Sequence, residues 1–279
     1  MFVDLVVSSV DIDARVAVEA AQCAEAAGFD GVWTYDHVSG AVLRGRSTLD
    51  VWTLLAAMAT ATNRITFGPL VVNATSRHPA HINTAVATLQ QLSGGRLVLG
   101  LGAGAGPESP YSRELTMFGV KAHGASQRRT RVIETIETLR AIWRRESSFE
   151  GTQLRMEGVE AVAIPNPVPK IIVGANGPRM AELAGIYADG VNLHSWESDL
   201  TGLVAVARTA APQRHLEISV EVPYDTAWFD PSSAERRRLK AIGVDRMQVR
   251  WSAGLGIDAI IEAADLMNLS RSTNEPSTP

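Results

Sequence analysis

The chain has a single cysteine, Cys23, among its 279 residues, which excludes an internal disulfide. Cys23 falls on an alanine-rich helical stretch and reads as a small buried filler rather than a nucleophile. An excess of basic residues is also missing. The formal net charge is -4 and the pI about 5.9, so the bulk field would attract neither nucleic acid nor an anionic membrane. No apolar run reaches the length that crosses a bilayer. The first seven residues carry an early acid, Asp4, and no basic leader region; a strand is expected there rather than a signal peptide, and a cytoplasmic location as the default. The rest of the composition, 46% hydrophobic and 20% charged, is that of an ordinary globular protein, and the length suits one α/β barrel or two smaller domains.

What is present is alternation. Strands are expected over residues 2–7, 31–35, 65–72, from Leu97 onward, and over 170–174, 190–193, 215–222 and 245–250. Helices fall between them. Asp13 or Asp11 can cap a helix over 14–27 that Gly28 ends, Pro79 opens one that Ser93-Gly94-Gly95 ends, and Ser126 can start another over 128–144. A small hairpin is expected over 149–169 and a closing helix over 256–267. Eight such units without a composition shift predict an α/β protein, a single (β/α)8 TIM barrel over residues 1–268, with a polar, disordered tail at 269–279. Residues 105–126 are too many for a tight turn and predict a lid-like insertion, with Tyr111, Met117 and Phe118 as its apolar anchors. The helix after Asp50 is apolar on every side, which predicts burial all round and therefore a homodimer partner. Pro69 is a misfit in a central parallel strand and predicts irregular backbone there.

A barrel of this kind places its chemistry at the C-terminal ends of the strands. His37, beside Asp36, ends the second strand and can give or take a proton near neutral pH. Asn73 ends the third, as a ligand for a cofactor or as a plain turn-former. The run Gly100-x-Gly102-x-Gly104-x-Gly106 continues into Pro107 rather than a helix, so it is not a dinucleotide fingerprint; Gly102, Ala103 and Gly104 allow backbone to approach a flat ring, or simply let strands pack. Ala175, Asn176, Gly177, Pro178 and Arg179 are a candidate anion site, where Pro178 opens a helix whose free amides and dipole join the Arg179 cation, or simply an ordinary Gly-Pro helix opening. His194 is a candidate for the substrate pocket. His78 and His81 lack a third ligand, so no metal is expected. Glu221 and Arg250 serve the pocket or pair within the barrel, and neither is assigned a role.

The order Arg77-His78-Pro79, Leu92-Ser93-Gly94-Gly95-Arg96, Leu99-Gly100-Leu101-Gly102-Ala103-Gly104 resembles the luciferase-like monooxygenase superfamily, and within it the oxidoreductases that use the deazaflavin coenzyme F420. Gly28-Phe29-Asp30-Gly31-Val32-Trp33 with Asp36-His37, the stretch Val173 to Arg179, and Ala188-Asp189-Gly190-Val191-Asn192 follow in the same order. The resemblance implies a luciferase-like barrel and a homodimer. It also implies an Asp36-His37 pair meeting cofactor and substrate, and a non-prolyl cis peptide near Leu70-Val71 backing the ring. The implied activity is hydride transfer between F420 and a small organic substrate. FMN with monooxygenase chemistry is the alternative within the class, and a non-catalytic flavin-binding barrel the alternative outside it. Two departures stand out: Ala105 where some relatives carry a proton-donating glutamate, with Glu108 a few positions on, and a short connection, residues 224–231, after the seventh strand.

Overall fold

The computed structural model describes residues 1–272. Strand β1 (Phe2–Val7) leads to helix α1 (Ala14–Ala26), capped by Asp13, which accepts a 2.8 Å hydrogen bond from the Arg15 amide. There follow β2 (Gly31–Thr34), α2 (Val51–Ala61), β3 (Thr66–Pro69), β4 (Val72–Asn73), α3 (Pro79–Ser93) and β5 (Leu99–Gly102). A long connection holding the short helix α4 (Arg113–Thr116) reaches α5 (Ala125–Trp143), and an antiparallel hairpin of β6 (Phe149–Glu150) and β7 (Arg155–Met156) reaches β8 (Ile171–Gly174). The chain ends with α6 (Pro178–Tyr187), β9 (Gly190–His194), α7 (Leu200–Thr209), β10 (Glu217–Pro223), α8 (Ala234–Ala241), β11 (Arg246–Trp251) and α9 (Asp258–Ser272).

The main sheet is parallel throughout, in the order β3-β2-β1-β11-β10-β9-β8-β5-β4. β3 and β4 are halves of one strand interrupted at Leu70-Val71, where the peptide bond is cis. The interrupted strand closes the ring: β3 pairs with β2 while β4 pairs with β5, and Val98 donates to the Phe67 carbonyl at 2.9 Å. The result is the expected eight-unit barrel. Strands buried on both faces must be apolar on both. Leu5, Val32, Phe67, Leu99, Leu101, Val173 and Val249 pack outward under the helices, while Val6, Trp33, Leu70 and Ile172 fill the inside.

Polar layers also cross the interior. At its N-terminal end Asp4 receives Arg246 at 2.6 and 2.7 Å and the Trp33 indole at 2.6 Å. Gly31 leaves room for that carboxylate, since a Cβ there would meet Asp4 Cγ at 2.7 Å. Complete burial outweighs Arg246 and pushes Asp4 up to about 6. One layer higher, Asn192 donates to Gln248 at 2.5 Å and to Ser219 at 3.2 Å.

Four expectations need revision. Helix α2 is not buried all round: Leu54, Leu55 and Met58 pack into this chain, and the outer row is Thr53, Ala57 and Thr60, all exposed. Trp52 and Ala56 pack against the same core but stay half-buried. Helix α5 starts at Ala125, ahead of Ser126, because Gly124 takes the N-cap position. Cys23 is half-buried rather than fully buried. The closing helix continues to Ser272 rather than stopping at Met267, so the first part of the expected tail is helical and the remainder, 273–279, lies outside the described residues.

Candidate active site

The C-terminal ends of the strands surround a cleft of about 1230 Å³. Of the residues nominated from sequence, Asp36, His37, Leu70, Val71, Asn73, Gly102, Ala103, Gly104, Asn176, Gly177, Pro178, Arg179 and His194 all line it. Ala175 is buried behind the wall, its amide bonded to the Asn192 carbonyl at 2.9 Å.

Asp36 and His37 both line the cleft but are not bonded to each other. Successive residues leaving β2 point apart, so each finds its own partner. Asp36 accepts Arg77 at 2.8 and 2.6 Å and the Asn73 amide at 3.1 Å. Burial alone would lower Arg77, but the Asp36 carboxylate holds it above its ordinary value. His37 instead presents Nδ1 to both oxygens of Glu114, at 3.1 Å each, and Glu114 also accepts the Val38 amide at 3.2 Å. With Glu114 ionised, Nδ1 carries the proton and Nε2 remains for the cleft, where the described residues offer it no bond.

Glu114 sits in the insertion, which differs from expectation in how it is held. Tyr111, Met117 and Phe118 are not anchors; they are 46%, 47% and 66% exposed. The buried side chains between residues 105 and 124 are Ser112 and Glu114. Glu108, the acid nearest the expected donor position, is exposed.

The glycines of β5 serve the neighbouring strand. A Cβ on Gly100 would strike the Pro69 carbonyl, one on Gly102 would strike Val71, and one on Gly104, at φ 62°, would strike the Asn73 amide. Strand packing therefore requires glycine at these positions, and Gly102 and Gly104 line the cleft as well. Asn73 itself behaves as a turn-former, its Oδ1 accepting the Thr75 amide at 3.0 Å and hydroxyl at 2.7 Å.

On the side of the cleft formed by α5 and α6, Arg128, Arg129 and Arg179 face the opening. No side chain caps α6, and a Cβ on its N-cap, Gly177, would meet nothing within 4 Å. Arg128 donates to the Gly104 carbonyl, while its Nε is buried without a partner. Burial and then Arg129 press Arg128 below its ordinary value. The four acids of the cleft are each engaged: Asp36 by Arg77, Glu114 by His37, Glu197 by His194 and Glu221 by Arg250. Among the described residues the three arginines have no carboxylate partner. This wall is a concentrated positive region on a chain of net charge -4.

Opposite lies a group of which sequence reasoning gave a role to His194 alone. Tyr35 donates to Glu221 at 2.6 Å, Arg250 donates to the same oxygen at 2.8 Å, and His194 Nε2 lies 3.5 Å from the other. Burial and then Glu221 hold Tyr35 well above its ordinary value, so it stays a neutral donor. Trp196, 51% exposed, stacks on His194 at 4.4 Å. Strand-end placement was the only available signal for this group, since Tyr35 and Glu221 are 186 residues apart.

The sequence profile described as luciferase-like monooxygenase matches residues 4–222. An F420-dependent hydroxymycolic acid dehydrogenase of Mycobacterium tuberculosis is 36% identical over 175 residues, covering 62% of this chain and 47% of that protein. A 5,10-methylenetetrahydromethanopterin reductase of Methanolobus tindarius is 32% identical over 176 residues, covering 63% and 48%. The chain thus spans about half the length of the curated relatives it matches. Among solved structures, an F420-dependent secondary alcohol dehydrogenase in complex with an F420-acetone adduct superposes with a TM-score of 0.79 at 18% identity, covering 95% of this chain and 98% of that one. A long-chain alkane monooxygenase reaches the same TM-score at 14% identity, covering 100% and 93%. At these identities the superpositions speak for the fold alone.

Proposed function

The chain belongs to the luciferase-like monooxygenase family, and from that premise we propose that it is a coenzyme F420-dependent oxidoreductase acting on a small organic substrate. The observation that carries this reading is the charge arrangement of the cleft, in which every acid is engaged and three arginines on one wall are not. Coenzyme F420 has a phosphate followed by a carboxylate-bearing tail, whereas FMN ends at its phosphate. The residues present fit the longer anion: the uncapped start of α6, the open space beside Gly177 and the unpartnered Arg128 Nε form an anion-receptive wall. The name of the relative found in M. tuberculosis, an F420-dependent dehydrogenase, supports the same choice within the family.

When bound, the deazaflavin supplies a two-electron hydride carrier. The chain's part is to bind, orient and move protons. Arg128, Arg129, Arg179 and the α6 amides would hold the anionic end, and Leu70 and Val71 would back the ring. The stack of Trp196 on His194 gives the substrate a flat wall. His37, through Nε2, takes or returns the substrate's proton.

FMN with monooxygenase chemistry is the second reading, because the family is itself described as luciferase-like monooxygenase. Titrating purified protein with F420 and separately with FMN, followed by fluorescence, decides between them. Tight F420 and weak FMN binding is the expected result; tight FMN alone favours monooxygenase chemistry, and binding of neither favours a degenerate barrel that has lost its cofactor. A cytoplasmic homodimer completes the proposal. Light scattering checks the dimer.

A further inference from the structure

The insertion between β5 and α5 has an unusual way of staying down. Loops normally seat themselves by burying apolar side chains, yet here Met117 and Phe118 are exposed, Tyr111 is half-exposed at the cleft, and the buried side chains are Ser112 and Glu114. Ser112 turns back on its own loop, donating to the Ser109 carbonyl at 2.8 Å. Glu114 alone of the two reaches the barrel, and it lands on His37 Nδ1 and the Val38 amide. The other groups near His37 leave its nitrogens alone: Asp36 is taken by Arg77, and the Tyr35 ring lies 6.1 Å away with its hydroxyl on Glu221.

We propose that Glu114 is the positioning residue of His37, so that seating the insertion and fixing the His37 tautomer are one event. With the insertion seated, Glu114 accepts the Nδ1 proton and the Nε2 lone pair is left for the cleft. With it lifted, the imidazole loses its orienting partner and either nitrogen can carry the proton. The site is therefore complete as a proton acceptor only while the insertion covers it. This rests on reading His37 as the proton-handling residue of the proposed reaction.

The full chain without cofactor provides the test. Nitrogen-15 spectra of the imidazoles at about pH 8.5, above the ordinary histidine value, are assigned for His37 by their loss in His37→Ala. The expected wild-type pattern is the Nδ1–H tautomer. Glu114→Gln keeps an oxygen for the Val38 amide while offering an N–H to Nδ1, so it is expected to invert the pattern to Nε2–H. A wild-type Nε2–H tautomer, or an unchanged tautomer in Glu114→Gln, overturns the proposal. Trypsin cleavage after Arg113 and Lys121 reads the seating. Glu114→Ala and His37→Ala are both expected to speed it by about ten- to a hundredfold, as loss of a hydrogen bond to a charged group implies. Faster cleavage in Glu114→Ala with no change in His37→Ala would show seating to be independent of His37 and would sink the coupling. None of these readouts needs F420, so failed F420 binding would remove the functional reading without touching this one.

Discussion

His37 ends β2 with one nitrogen committed to Glu114 and the other left for the cleft, which makes it the residue on which turnover should depend most. His37→Ala is expected to lower kcat by roughly the 10²–10⁴-fold of a lost general acid or base while leaving the F420 dissociation constant within a few-fold. Stopped-flow reduction and equilibrium titration together measure the two. A loss confined to cofactor affinity would instead make His37 a binding residue. Two glycines, one in the barrel wall and one at the cleft, make a sharper contrast. Gly100 lies where a Cβ would strike the Pro69 carbonyl, and backbone cannot easily give way, so Gly100→Ala should destabilise the fold by about 1–3 kcal/mol in urea unfolding. Gly177 has open space and an extended φ of 174°. Gly177→Ala should therefore leave stability within about 0.5 kcal/mol, and any weakening of cofactor binding in it reports the occupied cradle.

The starts of α5 and α6 act together as one cationic wall, and the prediction for them is collective. Replacing Arg128, Arg129 and Arg179 with Gln should weaken F420 by about ten- to a hundredfold, at roughly 1.4 kcal/mol per decade, and FMN by clearly less. The difference should shrink as ionic strength rises and the Debye length falls below about 10 Å. Equal weakening of both ligands would place the phosphate alone on this wall. The elements themselves were legible in the sequence for a simple reason: a strand buried on both faces is an apolar run, and Asp13, Asp50 and Pro178 mark helix starts by local chemistry. The irregular third strand was legible at Pro69. Helix α2 was misread because alanine and threonine count as compatible with burial yet are equally at home in water. Glu114 was invisible because its partner is 77 residues away and its neighbours advertised an apolar anchor that the fold does not use.

The barrel as a whole is sealed at the end away from the cleft by Asp4, Arg246 and Glu217, joined by hydrogen bonds of 2.6 to 2.8 Å. This closure sets an unusual dependence of stability on pH. Asp4 sits near 6 in the folded chain against 3.8 ordinarily, so the fold holds its proton more tightly than the unfolded chain does. Its contribution to stability is complete below about 3.8 and is lost as pH rises through 6. Glu25, Glu134 and Glu217 run the other way. Burial would raise each, but backbone amides beside Glu25, Thr152 with backbone amides beside Glu134, and Arg246 with Lys170 beside Glu217 hold all three below 4.5. Their contributions are complete above 4.5 and are lost as pH falls through the depressed values. The two trends overlap so that stability should rise on acidification from pH 7 toward about 5, by about 1 kcal/mol, and collapse once the pH falls through the depressed values of the three glutamates. Asp4→Asn removes only the titrating group of the first trend. Urea unfolding across that range should show the wild-type rise abolished in Asp4→Asn while the acid collapse persists. A rise that survives the substitution would mean that the acidic limb belongs to groups outside the barrel floor.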